Sequence, residues 1–149
     1  MPETFRLDMT RSFKAGPEKV YAAWASADQL KRWLLPHDSF RAEAKTDAKL
    51  GGEFRIDLAG RIEGNDVSGY ATGEYREIIP GRRLVFTWNW HNKLTGETMP
   101  ETLVAVNLAE KAGGTEMTLV HDRFITPALR DEYGHGWLNC FRNLDALLG

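Results

Sequence analysis

The chain opens on alternation. Phe5, Leu7, Met9 and Phe13 are interleaved with Arg6, Asp8 and Ser12, a period of two that predicts a strand. Gly16-Pro17 ends it, and Pro17 suits the first position of a helix. Between Pro17 and Ser26 the apolar Val20, Tyr21 and Trp24 recur at helical spacing. Ser26-Ala27-Asp28 reads as a break with a fresh cap, followed by a short helix from Gln29 to Leu34 that stops before Pro36. The pattern then returns to strands, expected near 39–46, 52–59, 67–79, 82–92, 101–110 and 114–124. Gly51-Gly52, Asn65-Asp66, Pro80-Gly81, Thr95-Gly96 and Gly113-Gly114 supply the turns. Thr126 caps a last helix with Pro127 at its first position. Trp137, Phe141, Leu144 and Leu148 follow at steps of four, three and four, an apolar stripe that needs a broad surface to pack on.

Strand, two helices, six strands and a long helix, joined mostly by hairpin turns, predict an antiparallel sheet with its helices on one side, an α+β architecture. At 149 residues, with no repeat, low-complexity segment or long linker, the expectation is a single domain over 1–149.

Composition narrows the function classes. Hydrophobic residues make up 42% and charged residues 27%, ordinary values for a globular protein. Lys+Arg of 19 against Asp+Glu of 21 gives a formal charge of −2, which argues against nucleic acid as a partner. No stretch approaches the roughly 20 apolar residues of a membrane span. Met1-Pro2-Glu3-Thr4 lacks the basic and apolar regions of a signal peptide, and the lone Cys140 cannot form an internal disulfide, so a cytoplasmic protein is expected. The unusual feature is aromatic: five Trp, seven Phe and four Tyr need a place to pack.

Several segments carry a family resemblance. They are Phe13-Lys14-Ala15-Gly16-Pro17-Glu18-Lys19-Val20-Tyr21-Ala22-Ala23-Trp24, Leu30-Lys31-Arg32-Trp33, Gly51-Gly52-Glu53-Phe54-Arg55 and Gly73-Glu74-Tyr75-Arg76-Glu77-Ile78, then Arg83-Leu84-Val85-Phe86-Thr87-Trp88, Gly114-Thr115-Glu116-Met117-Thr118-Leu119-Val120-His121 and Gly136-Trp137. In this order they resemble the activator of heat-shock protein 90 ATPase-like family, within the START-like (SRPBCC) helix-grip superfamily. The resemblance implies a curved seven-stranded antiparallel sheet around a long C-terminal helix, two short helices after the first strand, and often a cavity between sheet and helix. The family commonly has a tryptophan pair ending in Gly-Pro after the second helix. Here that stretch is Trp33-Leu34-Leu35-Pro36, so one aromatic is a leucine and the glycine is missing, which implies a different ligand preference if the pair lines the cavity mouth.

Candidate chemistry is sparse and mostly apolar. Phe86, Trp88 and Trp90 share one strand face; Phe54 and Ile56 share another, and Val104, Val106 and Leu108 a third. Opposite stands the Trp137–Phe141 stripe. Either these residues fill a plain core or they wall an aromatic-lined pocket, since three large rings facing a helix are hard to pack without leaving space. His121 follows Met117 and Leu119 at steps of two and shares their face. It is either a hydrogen-bonded structural histidine or a ligand anchor or general acid/base. His37, His91 and His135 lack metal-ligand spacing, so no metal is expected. Glu53, Asp57, Glu74 and Glu77 lie near Arg55 and Arg76 and read as cross-strand partners on the solvent side. Glu74 draws most interest, because alternation sets it with Tyr70, Thr72 and Ile78. Cys140 reads as a buried thiol and Arg82-Arg83 as a solvated pair. No nucleophile elbow or phosphate-binding glycine motif occurs, and no cofactor is expected. Gly134 and Gly136, flanking His135, imply either tight packing or a flexible entrance.

Three functional readings follow. The first is a domain that binds a small apolar or aromatic molecule, with Trp33, Phe54, Trp88, Trp90, Trp137 and Phe141 as walls and His121 and Tyr75 as polar groups. The second is a co-chaperone-like interaction module whose partner is a chaperone. The third is a cyclase- or hydrolase-type enzyme with His121 as general acid/base, although no complete catalytic set is visible. A monomer or weak homodimer suits all three.

Overall fold

The computed structural model describes residues 3–149; Met1 and Pro2, part of the segment read for a signal peptide, lie outside the described residues. Strand β1 (Phe5–Phe13) is followed by helices α1 (Pro17–Ala25) and α2 (Ala27–Trp33). Then come β2 (Arg41–Thr46), β3 (Glu53–Ile62), β4 (Asn65–Ile79), β5 (Arg83–Asn92), β6 (Thr102–Lys111), β7 (Gly114–Phe124) and helix α3 (Pro127–Leu148). All seven strands form one curved antiparallel sheet in the order β1-β7-β6-β5-β4-β3-β2. Five of its pairings are hairpins between consecutive strands; the sixth sets β1 beside β7.

The helix boundaries follow from capping chemistry. Ser26 serves two helices: its N–H donates to Ala22 O at 2.9 Å and ends α1, while its side chain accepts from the Gln29 N–H and opens α2. Thr126 accepts from the Leu129 N–H at 3.1 Å and starts α3. Helix α3 buries Trp137, Cys140, Phe141, Leu144 and Leu148. Each large apolar side chain of that stripe contributes roughly 1.5–3 kcal/mol through burial.

Two turns lie earlier than the residue types suggested. The β3–β4 turn is at Glu63-Gly64, with φ of 51° and 81°, and Asn65-Asp66 already pair within the ladder. The β6–β7 turn likewise uses Ala112-Gly113 rather than Gly113-Gly114. Both are two-residue turns whose central residues need positive φ, and glycine at the second position supplies it without a side-chain clash. A bulge at Arg76 shifts the β4–β5 register, so Tyr75 pairs with Phe86 but Glu77 with Val85. Ile78 therefore packs against the core with Tyr75, not beside Glu74 as alternation predicts.

Helix α3 runs unbroken through Gly134 and Gly136. A Cβ at position 136 would stand 3.1 Å from Pro36 Cβ, so this glycine lets the helix press closely on the loop after α2. At position 134 it would sit 3.5 Å from Leu7, an ordinary contact. Gly134→Ala is therefore expected to stabilise the protein by up to about 1 kcal/mol and raise Tm by about 2–4 °C. A lower Tm in a thermal melt would mean that the Leu7 contact outweighs the gain in helix propensity.

Candidate functional site

Between α3 and the inner face of the sheet lies a cavity of about 360 Å³. Trp88 and Trp90 of β5 line it from the sheet, and Tyr133, Gly136, Trp137 and Cys140 of α3 line it from the helix. Leu34, Pro36 and Phe40 close one side, Leu58 and Val67 another, and Met99 comes from the β5–β6 connection. Glu97 and Glu132 are exposed at the rim. The volume lies at the low end of the range for small-molecule sites, and the lining is predominantly apolar, as in such sites generally.

The residues singled out in the sequence divide between this cavity and the core beside it. Trp88, Trp90 and Trp137 line the cavity. Trp33 is fully buried: its Nε1 donates to Ala23 O at 2.9 Å, and its ring packs edge-on against Trp24 at 4.6 Å. Phe141 stacks on Trp137 at 5.5 Å from within the core. Phe54 and Tyr75 pack on each other and on Phe86, beside a gap of about 10 Å³ with room for one water molecule at most. Burial pushes the Tyr75 phenol well above its ordinary pKa. Leu34 and Pro36, from the stretch that follows Trp33, both line the cavity. Asn139 fixes that stretch from α3 by donating to Leu35 O at 2.8 Å.

His121 is fully buried and does not line the cavity. Trp137 Nε1–H, which can only donate, reaches His121 Nδ1 at 3.1 Å, so that nitrogen is the bare acceptor. The ring proton therefore sits on Nε2 and is donated to Thr102 Oγ1 at 2.7 Å. The Thr102 hydroxyl in turn donates a hydrogen bond to the Trp88 carbonyl at 3.2 Å. Burial lowers the His121 pKa to about 3, which keeps the ring neutral. Both nitrogens are committed to the protein, and what they accomplish is to hold Trp137 and the Trp88 backbone in place.

Tyr133, which was not among the residues picked from the sequence, completes this network. The Trp88 Nε1–H donates to Tyr133 Oη at 3.0 Å. Burial raises the Tyr133 phenol to about 12, so it stays protonated near neutrality. A signal for it existed: 133, 137 and 141 form one i, i+4 aromatic row. Trp24 was also passed over; its ring meets Trp33, Phe86, Trp137 and Phe141, and its Nε1 donates to Met117 Sδ at 3.3 Å.

The other candidate groups lie elsewhere. Asp57 pairs with Arg55 and Lys93, which lower its pKa, Glu74 with Arg76, and Glu77 with Arg83. Tyr70 stacks on His91 at 4.6 Å on the side of β4 opposite the core, and Arg55 lies 3.9 Å over its ring. His37 bonds Ser39, and His135 is exposed. Burial pushes the Cys140 thiol well above its ordinary pKa, which keeps it un-ionised. Among the described residues, no three His, Cys, Asp or Glu side chains converge as metal ligands, and no helix is long and apolar enough to cross a membrane.

A curved seven-stranded antiparallel sheet holding a long C-terminal helix, with a cavity between them, defines the helix-grip class. Within it, the chain belongs to the family described as Activator of Hsp90 ATPase homolog 1-like protein, whose model matches residues 14–149. Solved structures agree. A Chromobacterium violaceum protein is 27% identical with a TM-score of 0.76, covering 99% of this chain and 98% of that one. A Rhodobacter sphaeroides protein is 28% identical with a TM-score of 0.77, covering 96% and 91%. An AHSA1 protein from Silicibacter pomeroyi, 22% identical, shares the fold with a TM-score of 0.81 and 97% coverage of both chains. No curated protein matches the chain.

Proposed function

We propose that this protein binds a small apolar or aromatic molecule in the cavity between α3 and the sheet. The observation that carries the reading is the cavity itself: about 360 Å³ of space remains between Trp88, Trp90 and Trp137 despite an otherwise dense aromatic core. Burial of ligand surface against those rings drives binding at about 25 cal/mol per Å² before the costs of association. His121 acts by fixing Trp137, and Phe141 by backing it. Trp33, Phe54 and Tyr75 support the cavity from the core rather than touching the ligand.

Of the exposed large apolar side chains, Leu50, Ile62, Ile79, Leu94, Ile125 and Leu138, Ile62 belongs to the cavity lining, and the small-molecule reading is the one the cavity supports. A thermal-shift screen of neutral aromatics, fatty acids and sterols, with tryptophan fluorescence read in parallel, tests it. A ligand at one hundred times its Kd is expected to add about 2.7 kcal/mol, a rise of about 5–10 °C, and to quench fluorescence. A flat result across every class would overturn the reading.

A further inference from the structure

The hydrogen-bond network beside the cavity ends on a proton that the protein leaves unused. Indole N–H groups only donate, so the 3.0 Å contact between Trp88 Nε1 and Tyr133 Oη makes the tyrosine oxygen an acceptor there. Its own O–H must point elsewhere, and the contact with Trp88 is the only side-chain hydrogen bond that Tyr133 makes among the described residues. Tyr133 lines the cavity. Its oxygen is held in position: Trp88 is fixed through its carbonyl by Thr102, Thr102 by His121, and the His121 ring by Trp137. Trp90, which also lines the cavity, is only partly buried.

Charge adds a second constraint. Among the described residues, the lining contains no Lys, Arg or His, and its two charged-type side chains, Glu97 and Glu132, are both acidic and both exposed. An anionic ligand would leave water, pass two carboxylates and meet no counter-charge. An uncharged ligand with an oxygen acceptor would meet a preset phenol donor in an apolar setting, where an ordered hydrogen bond is strengthened by its neighbours.

We infer that the ligand is an uncharged aromatic or alicyclic molecule carrying a carbonyl-type acceptor, which receives its hydrogen bond from Tyr133 Oη, and that carboxylated ligands such as fatty acids are rejected. The inference rests on the small-molecule reading above and narrows it to a ligand class.

Three probes of one skeleton test it: 1-tetralone, its carbonyl-free analogue tetralin, and tetralin-1-carboxylate. Each is titrated into the wild-type protein and Tyr133→Phe by ligand-observed NMR at pH 7, with thermal melts confirming that both proteins are folded. The ketone is expected to bind about 10-fold more weakly to Tyr133→Phe, while tetralin changes by less than about 2-fold; comparing the two changes separates the hydrogen bond from general loss of packing. In the wild-type protein, which needs no substitution, the carboxylate is expected to bind at least about 10-fold more weakly than the ketone. Equal losses for ketone and tetralin, or a carboxylate that binds as well as the ketone, would overturn the inference and leave the cavity reading standing. Failure of all three probes to bind would count against the cavity reading itself.

Discussion

His121→Ala should cost roughly 3–5 kcal/mol of folding stability, by analogy with large-to-small changes in packed cores. The ring is fully buried among Phe124 at 4.3 Å, Tyr133 at 5.1 Å and Trp137 at 6.1 Å. Its loss opens a hole and also strands two partners. Trp137 Nε1–H loses its acceptor and Thr102 Oγ1 loses a donor, and an unsatisfied buried group costs about 1–3 kcal/mol. Against a total stability of about 5–15 kcal/mol the effect is large; Tm should fall on the order of 10 °C. Urea melts check it. A loss below about 1 kcal/mol would show that the network does not hold α3 against the sheet.

Acid should destabilise the wild-type protein through the same residue. In the unfolded chain this histidine takes up a proton below its ordinary pKa of 6.5, whereas burial delays protonation in the folded state to about 3. Between those values the unfolded state binds more protons, so stability is fully present above pH 6.5 and falls as the pH drops towards 3. The whole shift corresponds to something on the order of 5 kcal/mol, and about 3 kcal/mol of it is lost by pH 4. His121→Gln removes the titration while keeping a donor and an acceptor. Urea unfolding at pH 7 and pH 4 should show the gap between wild type and variant shrinking by about that amount, with the carboxylates common to both cancelling. Parallel pH curves would place the acid sensitivity elsewhere.

The sequence was informative wherever one face of an element decides its placement. Alternation set His121 with Met117 and Leu119, and all three are buried; the Trp137, Phe141, Leu144 and Leu148 stripe is the buried face of α3. Alternation failed at Arg76, because one extra residue in a strand reverses every later side chain and no residue type announces it. Asn65-Asp66 drew the turn two residues too late because their side chains favour turns, whereas Gly64 alone accommodates the positive φ without strain. The cavity itself was only half legible. Trp88, Trp90 and Trp137 follow from strand and helix periodicity. Pro36, Phe40, Met99 and Glu97 arrive from connections whose paths depend on tertiary packing. The division of the aromatics into lining and core is likewise a matter of depth: Trp33 and Trp88 are both buried, yet only Trp88 faces open space.

That division makes the tryptophans their own reporters. The most direct measurement is a two-dimensional ¹H–¹⁵N spectrum of the five indole N–H groups during titration with 1-tetralone. Trp88, Trp90 and Trp137 line the cavity, whereas Trp24 and Trp33 are tied to Met117 Sδ and Ala23 O in the core. Shifts confined to the first three, saturating with ligand, are the predicted result. Shifts that appear first at Trp24 and Trp33, or spectra that stay unmoved with 1-tetralone, tetralin and tetralin-1-carboxylate alike, would contradict a binding site between α3 and the sheet.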